Sequence, residues 1–233
     1  MRRFYLIAAF LLLVLSGCHG NGIRGYWKNV PLLEDNLRVS EDRMADFAEK
    51  AIAAPEEDAL AALDLLFNRL KEDPVAYYIY IDWIDGAFYN ILSPCRSAGL
   101  YAKAVNRMVT DGVLSESDYE RFLRHLEWIQ YNREGDVATV PGVVIDNQRA
   151  LVLVLDQGCP SCTEALTSLA TAPEWASIRR IAVCCGHGPA PAVPGWEYVT
   201  ETTATAVFDP QMTPVYFIVS PNGKVESTYQ LVF

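Results

Sequence analysis

The chain has 233 residues, 51% of them hydrophobic, with 29 acidic against 19 basic side chains and a formal net charge of −10. That length allows one large or two small domains. So acidic a chain, without a basic cluster, has no general attraction for nucleic acid or anionic lipid, and nucleic acid is set aside as a partner.

Residues 1–17 carry Arg2 and Arg3, an apolar run over 4–15, and then Leu15-Ser16-Gly17 before Cys18. They read as a secretory signal peptide, too short for a membrane span. Small residues directly before a cysteine are similar to a bacterial lipobox, which implies cleavage before Cys18 and lipidation of its sulfur; a plain signal peptide or an uncleaved anchor is the alternative. Lipid chains reach one leaflet, so the expected state is tethered to a membrane of the cell envelope, facing the periplasm or the cell surface. Lipidating one of the six cysteines leaves an odd number in an oxidising compartment, so at least one lacks an internal partner. Residues 18–25 are polar and glycine-rich, a tether.

Structure is expected to begin at Tyr26-Trp27. Met44, Phe47, Ala48, Ala51 and Ile52 recur at helical spacing, and Leu60, Leu63, Phe67 and Leu70 do so again after Pro55. Asp73-Pro74 opens a third helix dense in aromatics, with Tyr77, Tyr78, Tyr80 and Trp83, followed beyond Gly86 by Phe88 and Tyr89. Such a helix can line a ligand groove, but the core of a helical bundle is the reading adopted. After a loop at Leu92-Ser93-Pro94-Cys95-Arg96, Leu100, Ala104, Val105 and Met108 restart a helix that ends near Gly112. Ser117 with Glu120 has the form of a capping box for a last helix bearing Tyr119, Phe122, Leu123, Leu126 and Ile129. Helices without strands as far as Arg133 indicate an all-α domain over 26–135, with the boundary within 132–142 and a strand-rich domain over 136–233.

In the second half, Leu151-Val152-Leu153-Val154-Leu155 is a buried strand that breaks into Cys159-Pro160-Ser161-Cys162 and then a helical pattern. Pro160 suits a first helical turn. Cys159 would then sit at a helix N-terminus, where unpaired amides favour thiolate, with Cys162 one turn on and within disulfide reach. That spacing serves dithiol–disulfide exchange, although a half zinc site has the same letters. Residues 212–225, from Met212-Thr213-Pro214-Val215 to Asn222-Gly223-Lys224-Val225, read as a strand, a tight turn and an antiparallel return.

A strand, a C-x-x-C helix and Thr-Pro heading a hairpin closed by Asn-Gly resemble the thioredoxin-like fold. The resemblance implies a cis Thr213-Pro214 bond beside the dithiol, with Pro214 shaping the site and the backbone of Thr213 meeting an extended substrate. With Tyr26-Trp27, Ser93-Pro94 before Arg96 and Tyr101, and Asn132-Arg133-x-Gly135, the whole chain resembles thioredoxin-like bacterial lipoproteins with an N-terminal helical domain of unknown function. The chain departs from thioredoxin itself at Gly158, where tryptophan is common, and at Leu153, where a buried aspartate assists proton transfer. Asp156 is the nearest substitute, though an acid at a strand end is more often solvated. The closing helix of thioredoxin is missing after the hairpin, so one sheet face needs another cover, and the N-terminal helices are the expected one.

Residues 179–187, Arg179-Arg180-Ile181-Ala182-Val183-Cys184-Cys185-Gly186-His187, read as the next parallel strand, ending at the same sheet edge as Cys159. Alternation lets at most one of Cys184 and Cys185 face the dithiol. Buried thiols, a relay thiol, and a soft-metal site with Cys159, Cys162 and His187 are the three readings. His19 falls in the tether and His125 on a helix face, neither a persuasive ligand.

The expectation is therefore two domains, an N-terminal all-α helical domain and an α/β thioredoxin-like domain lacking the final helix. It acts as a lipid-anchored envelope thiol–disulfide exchange protein on protein thiols and disulfides with a redox partner, Cys159 as nucleophile and Cys162 as resolving thiol. No cofactor and no resident metal is needed. A scaffold lipoprotein with a structural disulfide, and a copper or zinc carrier using the same cysteines, are the alternatives.

Overall fold

Free amides at helix starts are satisfied where a short polar side chain can reach back to them, and four helices of the N-terminal region begin that way. The computed structural model describes residues 22–156, 159–186, 193–200 and 203–231. The signal segment, Cys18, Gly158 and His187 lie outside the described residues. The helices are α1 (Leu37–Ala53), α2 (Glu56–Leu70), α3 (Pro74–Ile84), α4 (Ala98–Asp111) and α5 (Glu116–Trp128). Asn36, Asp73, Ser97 and Ser115 cap α1, α3, α4 and α5. Pro74 occupies the first turn of α3, and Gly112, at φ 68°, closes α4 in the left-handed region that glycine enters without a Cβ clash.

The cap of α5 corrects the expected Ser117–Glu120 box. A cap must stand just outside the helix, and Ser115 does so, its hydroxyl accepting from the Asp118 amide at 3.2 Å. Ser117 is already inside the first turn. The core-facing stripe of α5 is correspondingly narrower than expected, with Phe122, His125 and Ile129 buried while Tyr119 and Leu123 are exposed. Ile52 on α1 and Tyr78 on α3 are exposed too, each on the flank of its helix.

The aromatic run is core. Trp27, Phe47, Phe67, Tyr80, Phe88 and Tyr101 are completely or almost completely buried, and Trp27 makes edge contacts with Phe47 and Tyr80 at ring separations of 5.2 and 5.8 Å. Below α3 the chain widens into a π-helical turn, Asp85–Tyr89. Among the described residues no helix is long and apolar enough to cross a membrane.

The C-terminal part is a five-stranded mixed sheet. Its elements are β1 (Ala150–Asp156), α6 (Pro160–Thr171), β2 (Arg179–Cys185), β3 (Glu197–Val199), β4 (Val215–Val219) and β5 (Val225–Leu231). The strand order is β3-β2-β1-β4-β5. β1 runs parallel to β2 and antiparallel to β4, β2 is parallel to β3, and β4 is antiparallel to β5. β3 is too short to leave a periodic trace and has no counterpart in the sequence reading. Met212, read as the head of a strand, belongs instead to a short turn, Pro210–Met212, wound on Asp209. The strand proper begins after Pro214.

Central β1 is buried on both faces, as its unbroken apolar run requires. Leu151, Leu153 and Leu155 pack with Cys162, Leu166 and Leu169 of α6. Val152 and Val154 face the other way, and the cover there corrects the expectation. It is built mainly from two irregular segments, Val140 with Ala138, Val143 and Ile145 on one side and Ala204, Val207 and Phe208 on the other. The helical region adds Ile91 at one end. An extended segment can bond a hairpin edge in a way that a helix, its backbone groups already paired, cannot. Val137 bridges Lys224, and the amides of Gly135 and Ala138 donate to the carbonyls of Val225 and Gly223 at 2.9 and 2.8 Å.

Candidate dithiol site

At the C-terminal edge of the sheet the chain leaves β1 and enters α6, and the two cysteines stand at that junction. Cys159 is the N-cap residue of α6, in extended conformation (φ −81°, ψ 118°), and Pro160 opens the helix. Cys159 is half-buried and Cys162 fully buried. The Cys162 amide donates to the Cys159 carbonyl at 3.1 Å. Cys159 Sγ lies 2.9 Å from the Ser161 hydroxyl.

This surrounding makes the two sulfurs unequal. Partial burial works against a Cys159 thiolate, but hydrogen bonds from the Cys162 thiol, the Ser161 hydroxyl and the amides of both residues outweigh it and hold Cys159 below its ordinary value. Burial, followed by the hydrogen bond to Cys159, pushes Cys162 up to about 12, against the smaller pull of the Asp156 amide and the Thr213 hydroxyl. The outer sulfur is thus the better thiolate and the inner one a protonated donor.

Thr213 and Pro214 approach the pair from the β4 side, joined by a cis peptide bond. The Thr213 hydroxyl donates to the Pro210 carbonyl at 3.0 Å and also lies within hydrogen-bonding reach of Cys162. All four residues expected at the site therefore meet at one sheet edge. Leu153 is buried beneath Cys162. Asp156 meets Cys162 through its backbone amide.

Register separates the strand-end cysteines. Leu155 is paired with Cys184 and Asp156 with Cys185. Cys184 packs in the same apolar cluster as Cys162, whereas Cys185 packs on the opposite face. Burial pushes Cys185 up to about 12, with the Asp156 carboxylate adding to the effect. Cys95 is in the helical core, far in sequence from this edge, and is likewise buried. Among the described residues no group of three or more His, Cys, Asp or Glu side chains is arranged to hold a metal ion.

Two contributors escaped the sequence reading. Ser161 was passed over as a filler between cysteines. Asp209, which anchors the turn leading to Thr213, carried a usable sign in Asp209-Pro210, the same pair that marks the start of α3 at Asp73-Pro74.

No protein-family model and no curated protein matches the sequence. Among solved structures, the crystal structure of a thioredoxin-like protein from Bacteroides caccae superposes with a TM-score of 0.63, at 19% identity, covering 90% of this chain and 87% of that one. At that identity the likeness is one of fold. The fold is thioredoxin-like, and the similarity takes in the helical region as well as the sheet.

Proposed function

We propose that the protein is a thiol–disulfide exchange protein of the cell envelope, anchored through lipid on Cys18, with residues 26–135 as a helical domain and 136–233 as the domain that carries the chemistry. The observation that supports this most is the unequal pair at the start of α6, a half-buried Cys159 favoured as thiolate beside a buried Cys162 held as thiol. In the reducing direction, Cys159 thiolate attacks one sulfur of a substrate disulfide. The substrate S–S bond breaks, and the departing thiolate takes up a proton. Cys162 then gives up its proton, attacks Cys159 Sγ and expels the second substrate thiolate. Two electrons and two protons have passed to the substrate, and the protein holds a Cys159–Cys162 disulfide that an external dithiol partner reduces. The opposite direction uses the same steps in reverse.

The backbone beside Pro214 offers an extended protein substrate an edge to pair with. No organic cofactor enters any step.

The test is trapping. Cys162→Ser should accumulate a mixed disulfide between Cys159 and a disulfide-bonded protein, while Cys159→Ser should form none. Equal, slow behaviour of both variants would leave the dithiol as a structural pair in a scaffold lipoprotein.

A further inference from the structure

One buried chain of polar contacts leads from the helical region to the dithiol. Asp209 is buried at the junction. Its Oδ2 accepts from the Tyr89 hydroxyl at 2.8 Å, its Oδ1 from the Gln211 amide at 2.9 Å, and its carbonyl from the Met212 amide at 3.2 Å. The turn Pro210–Met212 is thus wound on this one residue, and Met212 packs against the helical core. The turn's Pro210 carbonyl holds the Thr213 hydroxyl, the hydroxyl that also reaches Cys162.

Tyr89 is itself held on every side. It stacks flat on His125, with centroids 3.8 Å apart and planes 4° from parallel, and against Tyr101 at 5.1 Å. Its carbonyl accepts from Arg96 Nε at 3.2 Å. Burial, chiefly, with the Asp209 carboxylate beside it, raises the phenol far above its ordinary value, so the hydroxyl remains a donor.

We propose that Asp209, fixed by Tyr89, is a positioning residue for the dithiol, acting through Pro210 to place the Thr213 hydroxyl against Cys162. The helical region thereby governs how readily Cys162 is activated. A hydroxyl has a single proton. Held by the Pro210 carbonyl, it is stationed where a small rotation delivers it to the Cys162 thiolate that forms as the mixed disulfide is resolved. Loosening Asp209 moves the carbonyl and, with it, the hydroxyl.

The inference rests on the exchange reading, and its test uses glutathione so that the two can fail separately. Oxidised glutathione is offered to the reduced protein. Cys159 thiolate cleaves its S–S bond, releasing one glutathione thiolate and leaving the other bound as a mixed disulfide. Cys162 then attacks Cys159 Sγ, and the second glutathione leaves with a proton while the protein disulfide forms. The rate of that second release is the readout.

Tyr89→Phe, which keeps the stacked ring, should slow the release about tenfold, the effect of losing one buried hydrogen bond to a charged group. In a Thr213→Val background it should slow it no further, as expected for two residues acting on one path. The first step, attack by Cys159, should be unaltered. A merely structural Tyr89 would lower the melting temperature in both backgrounds and leave the release rate alone. An unchanged rate, or an equal slowing in both backgrounds, overturns the proposal. Should Tyr89→Phe not fold, Asp209→Asn is measured in its place with the same two outcomes. A wild-type protein that exchanges while Tyr89→Phe is silent refutes this inference and spares the exchange reading. A wild-type protein that never forms the mixed disulfide removes the exchange reading and this inference together.

Discussion

The rings of Tyr89 and His125 lie parallel and 3.8 Å apart, although one ends a π-helical turn and the other is carried by α5. On its other side the imidazole is tied by polar contacts. The Tyr101 hydroxyl donates to Asp85 Oδ1 at 2.6 Å, and His125 Nδ1 lies 2.8 Å from that hydroxyl and 3.1 Å from the same carboxylate oxygen. A hydroxyl that has spent its proton and a carboxylate oxygen can only accept, so Nδ1 carries the hydrogen. His125→Ala would remove a buried ring and a donor at once. It should cost about 3 kcal/mol of unfolding free energy, measured by urea titration, whereas Tyr78→Ala on the exposed side of α3 should change stability little.

The inequality of the two thiols has a direct chemical consequence. In the reduced protein Cys159 should alkylate faster than Cys162, and its rate should rise with pH to a plateau reached below the range of an ordinary thiol, because the thiolate is the reacting form. Iodoacetamide labelling followed by mass spectrometry across pH reads both quantities. Equal rates, or a rate still climbing past the ordinary thiol range, would count against the exchange reading.

Alkaline pH should weaken the reduced fold. Cys162 and Cys185 are both pushed up to about 12, principally by burial. A group whose folded value is raised contributes stability that is fully present below its unfolded value, about 8.5 for a cysteine, and that is lost as pH rises through the folded value. Between those two limits the melting temperature should fall steadily. Cys185→Ala should make the fall shallower, since one of the two titrating thiols is gone.

The lipid anchor is tested at the sequence that motivates it, Leu15-Ser16-Gly17-Cys18. Cys18→Ala should abolish fatty-acid labelling and release the protein from the membrane fraction. Labelling that survives the substitution would remove the anchor from the proposal.

Much of this organisation is written locally. A helix start needs a short acceptor beside it and a helix end needs a residue free to turn left-handed, so Asp73-Pro74 and Gly112 announce α3 and α4 without reference to the rest of the chain. The same holds for the junction of β1 and α6, where an apolar run, two cysteines and Pro160 lie within one short stretch of sequence. Thr213-Pro214 was legible through its place ahead of a hairpin and the fold which that arrangement resembles.

What sequence could not specify are the contacts between residues far apart along the chain. Spacing alone allowed either Cys184 or Cys185 to face the dithiol, and only the register of β1 against β2 chose Cys184, because a one-residue slip reverses every side chain of a strand. His125 looked like an incidental residue on a helix face until Tyr89, Tyr101 and Asp85 closed around it. The hydrogen bond from Tyr89 to Asp209 joins residues 120 positions apart. Neither partner's own stretch of sequence contains any sign of the other, since a polar pair of that kind exists only once packing has excluded water and left each group a single partner.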